Sequence, residues 1–173
     1  MSASTALFLL LRVTHVLIAA VWVGATVFTS FILMPAIEDS GPAAGPVMAA
    51  LMRRKLHTFM ASIGGVTVLT GLYLYYRFTG GFDPALSGSR GAMVYGLGGI
   101  AGIIALIIGG AVVGKNAKAI ADLGGRIASA PESERGALAA QIATARQRAA
   151  AAARVVVVLQ LFAIVCMAIG HYV

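Results

Sequence analysis

One polar stripe in the first apolar stretch contains the residue best suited to chemistry in this chain. His15 lies three residues after Arg12 and seven before Trp22, in a segment otherwise rich in Leu, Val, Ile and Phe. Residues three, four and seven apart share one face of an α-helix, so these side chains are predicted to lie together. A titratable ring on a membrane helix is costly unless it faces a partner, a cavity or a cofactor. We therefore expect His15 to mark the functional site.

The composition is that of a membrane protein. Of the 173 residues, 60% are apolar and only 11% are charged, whereas soluble domains are about half apolar and about one quarter charged. The apolar residues fall into four runs of about twenty, long enough to cross a hydrocarbon core about 30 Å thick. The first run has no basic segment before it and is too long for a signal peptide, so we expect it to remain as a span.

The predicted fold is all-α and integral to the membrane, with a single domain over residues 1–173. It is an antiparallel four-helix transmembrane bundle, with spans at about 7–33, 53–77, 91–114 and 154–173. The alanine-rich polar stretch at about 115–153 keeps a helical period and contains turn residues near 124–131. It is predicted to form a helical hairpin that protrudes from the bilayer between the third and fourth spans.

The basic residues predict the orientation. Ten of the thirteen Lys and Arg lie on the side shared by the first and third connections. The positive-inside rule places that side, with the hairpin, in the cytoplasm and both termini outside it, in a bacterial-type inner membrane. The net charge of +7 therefore reflects topology. Membrane lipid is the expected partner, and nucleic acid is not, because the basic residues have no aromatic interleaving.

Depth decides which histidines could share a site. If the membrane begins at Arg12, His15 lies about 5 Å inside it, similar in depth to His171 near the end of the fourth span. A span that begins at Ala6 would instead bury His15 deeper than His171. His57 enters the opposite, cytoplasmic end of the second span, so it is excluded from a small site with either of them.

Two imidazoles that face each other across a helical bundle can hold a b-type haem. We therefore predict haem b with His15 and His171 as metal ligands. Arg12 and Arg90 are predicted at the same membrane surface, where they could pair with the haem propionates. Trp22 would supply a flat apolar wall for the cofactor site.

Two alternatives are open at these residues. His15 could hydrogen-bond a backbone carbonyl or Gln160, which would leave His171 as an ordinary terminal residue. Met167 lies one turn before His171, and a thioether with an imidazole at that spacing could bind Cu(I). His15, Met167 and His171 would then be copper ligands.

Several other classes of function find no support in the sequence. None of the six acidic residues falls within a predicted span, which disfavours a proton-coupled transporter. The single cysteine excludes an internal disulfide. Glycine-rich faces on the second and third spans would allow close packing within the chain or a homodimer.

The first span also resembles a known family. The residues Arg12-Val13-Thr14-His15-Val16-Leu17 through Val21-Trp22-Val23-Gly24 are similar to the LHxxxxxxWxGG signature of the copper-resistance protein D family. That family's relatives include the HemJ-type protoporphyrinogen oxidases. In the second span, Arg53-Arg54-Lys55-Leu56 and Leu69-Thr70-Gly71-Leu72-Tyr73 resemble their basic entry and "TGL" exit. The resemblance covers about residues 7–114 and implies a four-helix membrane unit with a haem b site at His15.

The expected function is that of a b-type haem membrane protein in electron transfer, or an oxidoreductase that uses a quinone or a small oxidant. One alternative is a copper-binding or copper-transporting membrane protein of the copper-resistance D type. Another is a cofactor-free membrane assembly factor that acts through its hairpin.

Overall fold

The chain is all-helical in the computed structural model, which describes residues 2–127 and 129–173. No strand occurs in either of these ranges, which confirms the all-α prediction for them. The first half contains α1 (Ala3–Phe28), a π-helical turn (Thr29–Leu33), α2 (Met34–Asp39), a 3-10 turn (Gly41–Ala43) and α3 (Ala44–Arg53). The remainder contains α4 (Leu56–Phe78), α5 (Pro84–Ser87), α6 (Arg90–Ile108), a second π-helical segment (Gly109–Gly114), α7 (Lys115–Ile127) and α8 (Glu132–Ile169).

Four continuous helical stretches are long and apolar enough to cross a membrane. They are Ala3–Asp39, Leu56–Phe78, Arg90–Ile127 and Glu132–Ile169. Large apolar side chains point outward along them; Leu10, Leu17 and Leu69 are each more than 60% exposed. Such contiguous apolar surface is suited to lipid and not to water. The structure therefore supports a multi-pass membrane protein.

The long helices pack in a closed order of neighbours. α1 contacts α4, α4 contacts α6, α6 contacts α8, and α8 returns to α1. Trp22, Ala105 and Val156 form the buried core from three of these helices. Glycines permit the close approach, since a Cβ built on Gly64 would lie only 2.8 Å from the Trp22 ring. These glycines serve packing within the chain.

The starts of two long helices are set by local features of the chain. α1 begins at Ala3, where the Ser2 hydroxyl accepts the Thr5 N–H at 3.3 Å and caps the helix. α4 begins at Leu56 because Lys55 has a φ of 54°. A left-handed residue interrupts a right-handed helix, so α3 and α4 are separate helices.

The polar stretch between the third and fourth spans is helical on both sides of its turn. α7 continues through Gly124 and Gly125 to Ile127 and packs against α8. α8 then runs unbroken for 38 residues, from Glu132 into the apolar C-terminal segment. Ala128, part of the predicted turn, lies outside the described residues.

Candidate functional site

The His15 ring is held by the middle of α4. Its Nδ1 lies 2.9 Å from the Thr67 carbonyl oxygen and 3.1 Å from Thr70 Oγ1. The carbonyl can only accept, and the Thr70 hydroxyl already donates its proton to the Val66 carbonyl at 2.7 Å. Nδ1 must therefore be the nitrogen that carries hydrogen. In the neutral imidazole this leaves the lone pair on Nε2.

Gly71 forms the surface on which this ring rests. A Cβ built there would lie 2.9 Å from His15 Cε1, closer than real Cβ atoms approach, and 3.4 Å from Nδ1. The carbonyl, the hydroxyl and the glycine together fix the plane of the ring. Metal-ligating histidines commonly donate their other N–H to a carbonyl, which sets the tautomer and the orientation. His15 thus has the arrangement of a preorganised Nε2 ligand.

His15 is the oriented donor at this site. Within residues 2–127 and 129–173, no three His, Cys, Asp or Glu side chains come together as a metal site. A bare ion needs several protein ligands. Haem iron takes most of its ligands from the porphyrin and needs only one or two from the protein. A single oriented histidine therefore fits a haem.

Close contacts between the helices establish which residues lie at the same level. A Cβ on Gly96 would meet the Tyr75 hydroxyl oxygen at 3.2 Å, and one on Gly91 would meet the Gly170 carbonyl oxygen at 2.6 Å. A Cβ on Gly64 would meet Leu106 at 2.9 Å, so Gly71, seven residues after Gly64, lies approximately level with Gly99, seven residues before Leu106 on the antiparallel α6. His15 packs on Gly71 and shares that level.

The structure does not bring His171 to His15. α8 ends at Ile169, and His171 lies exposed beyond it, level with the first residues of α6. The two imidazoles are separated by about 12 Å along the helix axes at 1.5 Å per residue. The cause is the register of the helices, because His15 packs on Gly71 of α4, whereas His171 follows Gly170, which contacts Gly91 at the start of α6. His57 is farther still, about 21 Å from the level of His15 along α4.

Met167 and Trp22 have packing roles in the structure. The Met167 methyl carbon would lie 3.1 Å from a Cβ on Gly98, so Met167 packs between α8 and α6. Trp22 is 6% exposed in the buried core, two turns deeper than His15. Its ring therefore fills the interior of the bundle two helical turns beyond His15. A copper site of His15, Met167 and His171 would need groups that the helices hold at different depths.

Arg12 and Arg90, which are predicted to pair with the haem propionates, are both exposed. Arg12 lies one turn from His15, and Arg90 is the first residue of α6. Within the described ranges neither has an acidic partner; the ion pair found there joins Arg135 to Glu132. Their guanidinium groups can accept an anionic partner from outside the chain.

Sequence reasoning identified His15 but not the groups that hold it. Thr67 was not singled out, while Thr70 and Gly71 were noted only for their resemblance and packing. The signal was available as Thr67-Val68-Leu69-Thr70-Gly71, two hydroxyls and a glycine on one helical face. Of the alternatives for His15, the carbonyl hydrogen bond is the one formed. It uses Nδ1 and leaves Nε2 for a ligand.

Comparisons with protein-family models, curated proteins and solved structures found no match for this chain. The resemblance to the copper-resistance D and HemJ-type proteins remains a prediction from short motifs. The functional assignment rests on the residues around His15.

If His15 is a haem ligand, replacement of Thr70 by valine should weaken haem binding without unfolding the protein. Valine keeps the volume but removes the second acceptor for the His15 Nδ1–H, so the ring loses part of its orientation. Loss of such supporting contacts lowers metal affinity by about tenfold or more. Haem titration of Thr70→Val against wild type measures the change. Thr58→Val, at an exposed position of the same helix, is the control and should bind as wild type does.

Proposed function

We propose that this chain is a membrane protein that binds a b-type haem through His15 Nε2 and takes part in electron transfer. The observation that carries the proposal is the fixed hydrogen bond from His15 Nδ1 to the Thr67 carbonyl, at 2.9 Å. That bond orients the ring on Gly71 and leaves the second nitrogen available. Haem supplies one-electron redox chemistry when bound, and a quinone or a small oxidant is the proposed electron partner.

The surrounding residues have complementary roles in this proposal. Arg12, one turn toward the membrane surface, offers a guanidinium to a haem propionate, and Arg90 lies farther out at the same end. Trp22 blocks the deeper side of the site with an apolar ring. Thr67 and Gly71 hold the ligand side chain in place before any cofactor arrives.

The proposed architecture is an antiparallel four-helix transmembrane bundle in a bacterial-type plasma membrane. The closed order of helix contacts supports the bundle. The excess of basic residues around the first and third connections supports a cytoplasmic hairpin formed by α7 and the first half of α8, with both termini outside. His15 then belongs to the outer half of the membrane.

Replacement of His15 by alanine should abolish haem binding. Protein expressed with ample haem and purified in detergent should show a Soret band that shifts on reduction with dithionite. His15→Ala should lose this band, because Nε2 is the proposed iron ligand. His57→Ala is the matched control, since this exposed histidine lies at the opposite end of α4, and its spectrum should equal that of wild type.

Two further measurements separate loss of a ligand from misfolding. Trp22 is the only tryptophan, so haem bound at His15 should quench the intrinsic fluorescence on titration. Added imidazole should restore the Soret band of His15→Gly. A colourless wild type after haem supply, or an unchanged His15→Ala spectrum, would refute the proposal. Copper without haem in elemental analysis would favour the copper-binding alternative.

A further inference from the structure

Among the residues that the structure describes, Gln160 on α8 is the most deeply buried polar side chain without a hydrogen-bond partner. It is 1% exposed, and neither its Nε2 nor its Oε1 has a hydrogen-bond partner in the structure. The comparably buried Thr79 bonds the Tyr75 carbonyl and the Phe82 N–H. An amide left without hydrogen-bond partners in an apolar interior is destabilising. The position of Gln160 therefore calls for a partner from outside the chain.

Gln160 lies close to the level of His15. On α6, Gly98 contacts Ala163 and Cys166, while Ala105 belongs to the same cluster as Val156. Gln160 lies between these two contacts along α8, which places it level with Gly102. Since His15 is level with Gly99, the two side chains differ by about 4 Å along the helix axes. They also lie on neighbouring helices, because α8 contacts α1.

The same level contains unfilled space on α6. A Cβ built on Gly99 or on Gly102 would meet no heavy atom within 4 Å. Leu106 lies seven residues after Gly99 and four after Gly102, so it shares a helix face with both glycines. Because Leu106 contacts Gly64 of α4 and packs against the core, this face points into the bundle. By contrast, Gly98 is in tight contact with α8. Nε2 of His15, the unpaired amide of Gln160 and the open space beside Gly99 and Gly102 therefore lie within about one helical turn of each other along the helix axes.

We propose that Gln160 would hydrogen-bond a small exchangeable ligand, such as water or a neutral diatomic molecule, when a haem is bound at His15. This inference rests on the proposed haem function and deepens it. His15 would then be the one ligand that the protein supplies to the iron, so a position for an exchangeable molecule would stay open. The carboxamide is suited to this role because its NH₂ donates and its oxygen accepts. His171, about 12 Å farther out along the helices, does not occupy that position.

Carbon monoxide is a direct probe of both parts of the inference. The reduced wild-type protein should bind CO with a shift of the Soret band, because the open position accepts it. Gln160→Leu should keep its haem and still bind CO, but the C–O stretching frequency in the infrared should rise. The reason is loss of an N–H donor that polarises the bound CO. Gln147→Leu, at an exposed position of the same helix, should leave the frequency unchanged.

The outcomes distinguish this inference from the function on which it rests. A haem-loaded wild type that does not bind CO would show that a second protein ligand fills the position, and would overturn the inference while the haem assignment stands. An unchanged C–O frequency in Gln160→Leu would likewise overturn it. Wild-type protein without haem would refute the haem function and the inference with it.

Discussion

Gly71→Ala should weaken the proposed haem binding and lower the stability of the protein. The added methyl group would lie 2.9 Å from His15 Cε1, so the ring or α1 must move. Overpacking of this kind destabilises by about 1–3 kcal/mol. A displaced ring also loses its hydrogen bond to Thr67, so haem affinity should fall at least about tenfold. Haem titration and the thermal midpoint in detergent measure the two effects.

Gly65→Ala provides the matched control on the same helix. A Cβ at Gly65 meets no heavy atom within 4 Å, so the substitution adds helix propensity without a clash. It should be neutral or stabilising by up to about 1 kcal/mol, with unchanged haem affinity. Equal behaviour of the two alanine variants would show that His15 does not pack on Gly71.

Trp22→Ala should produce the largest loss of stability. Trp22 is 6% exposed at the centre of the core, against Ala105 and Val156. Truncation of a buried tryptophan leaves a cavity and costs about 3–5 kcal/mol. Its ring also fills the space over Gly64, so α1 and α4 should separate more readily. Reversible denaturation in mixed detergent micelles measures the free energy of unfolding.

Leu17→Ala is the corresponding control on α1. Leu17 is 62% exposed on the outward face, so its truncation removes little packing and should stay within about 0.5 kcal/mol of wild type. If Trp22→Ala were equally mild, the three-residue cluster would not be the core that holds the helices together.

The long helices were predictable because their signal is spread over many residues. Each apolar run is long enough that no turn residue or charge competes with a span, and all four are present. The ends were less predictable because each depends on one residue. Lys55 adopts a left-handed conformation that its basic neighbours gave no reason to expect. The segment Ala6–Leu11 is apolar, so the first span could begin at Ala6 or at Arg12. Composition alone therefore does not decide how deep His15 lies in the membrane.

The site was only half predictable for a similar reason. The cost of a histidine in an apolar helix is a property of one residue, and it singles out His15, whose ring hydrogen-bonds α4. Its partners depend on the register of α1 against α4, which arises from contacts such as Gly64 with Trp22. That register follows from side-chain packing in three dimensions. The packing of the helices also separates His171 from His15. The sequence predicts that these two histidines pair only because their membrane depths are similar.

The hydrogen bonds of Thr67 and Thr70 have a consequence for biogenesis. Both hydroxyls donate to carbonyls of their own helix, and His15 takes its acceptors from α4. The Nδ1 side of the His15 ring therefore has its hydrogen bonds as soon as α1 packs on α4, and Nε2 alone is left for a further partner. If haem binds as we propose, we expect an apoprotein whose α1–α4 pair is already formed, so that haem can be loaded after insertion into the membrane.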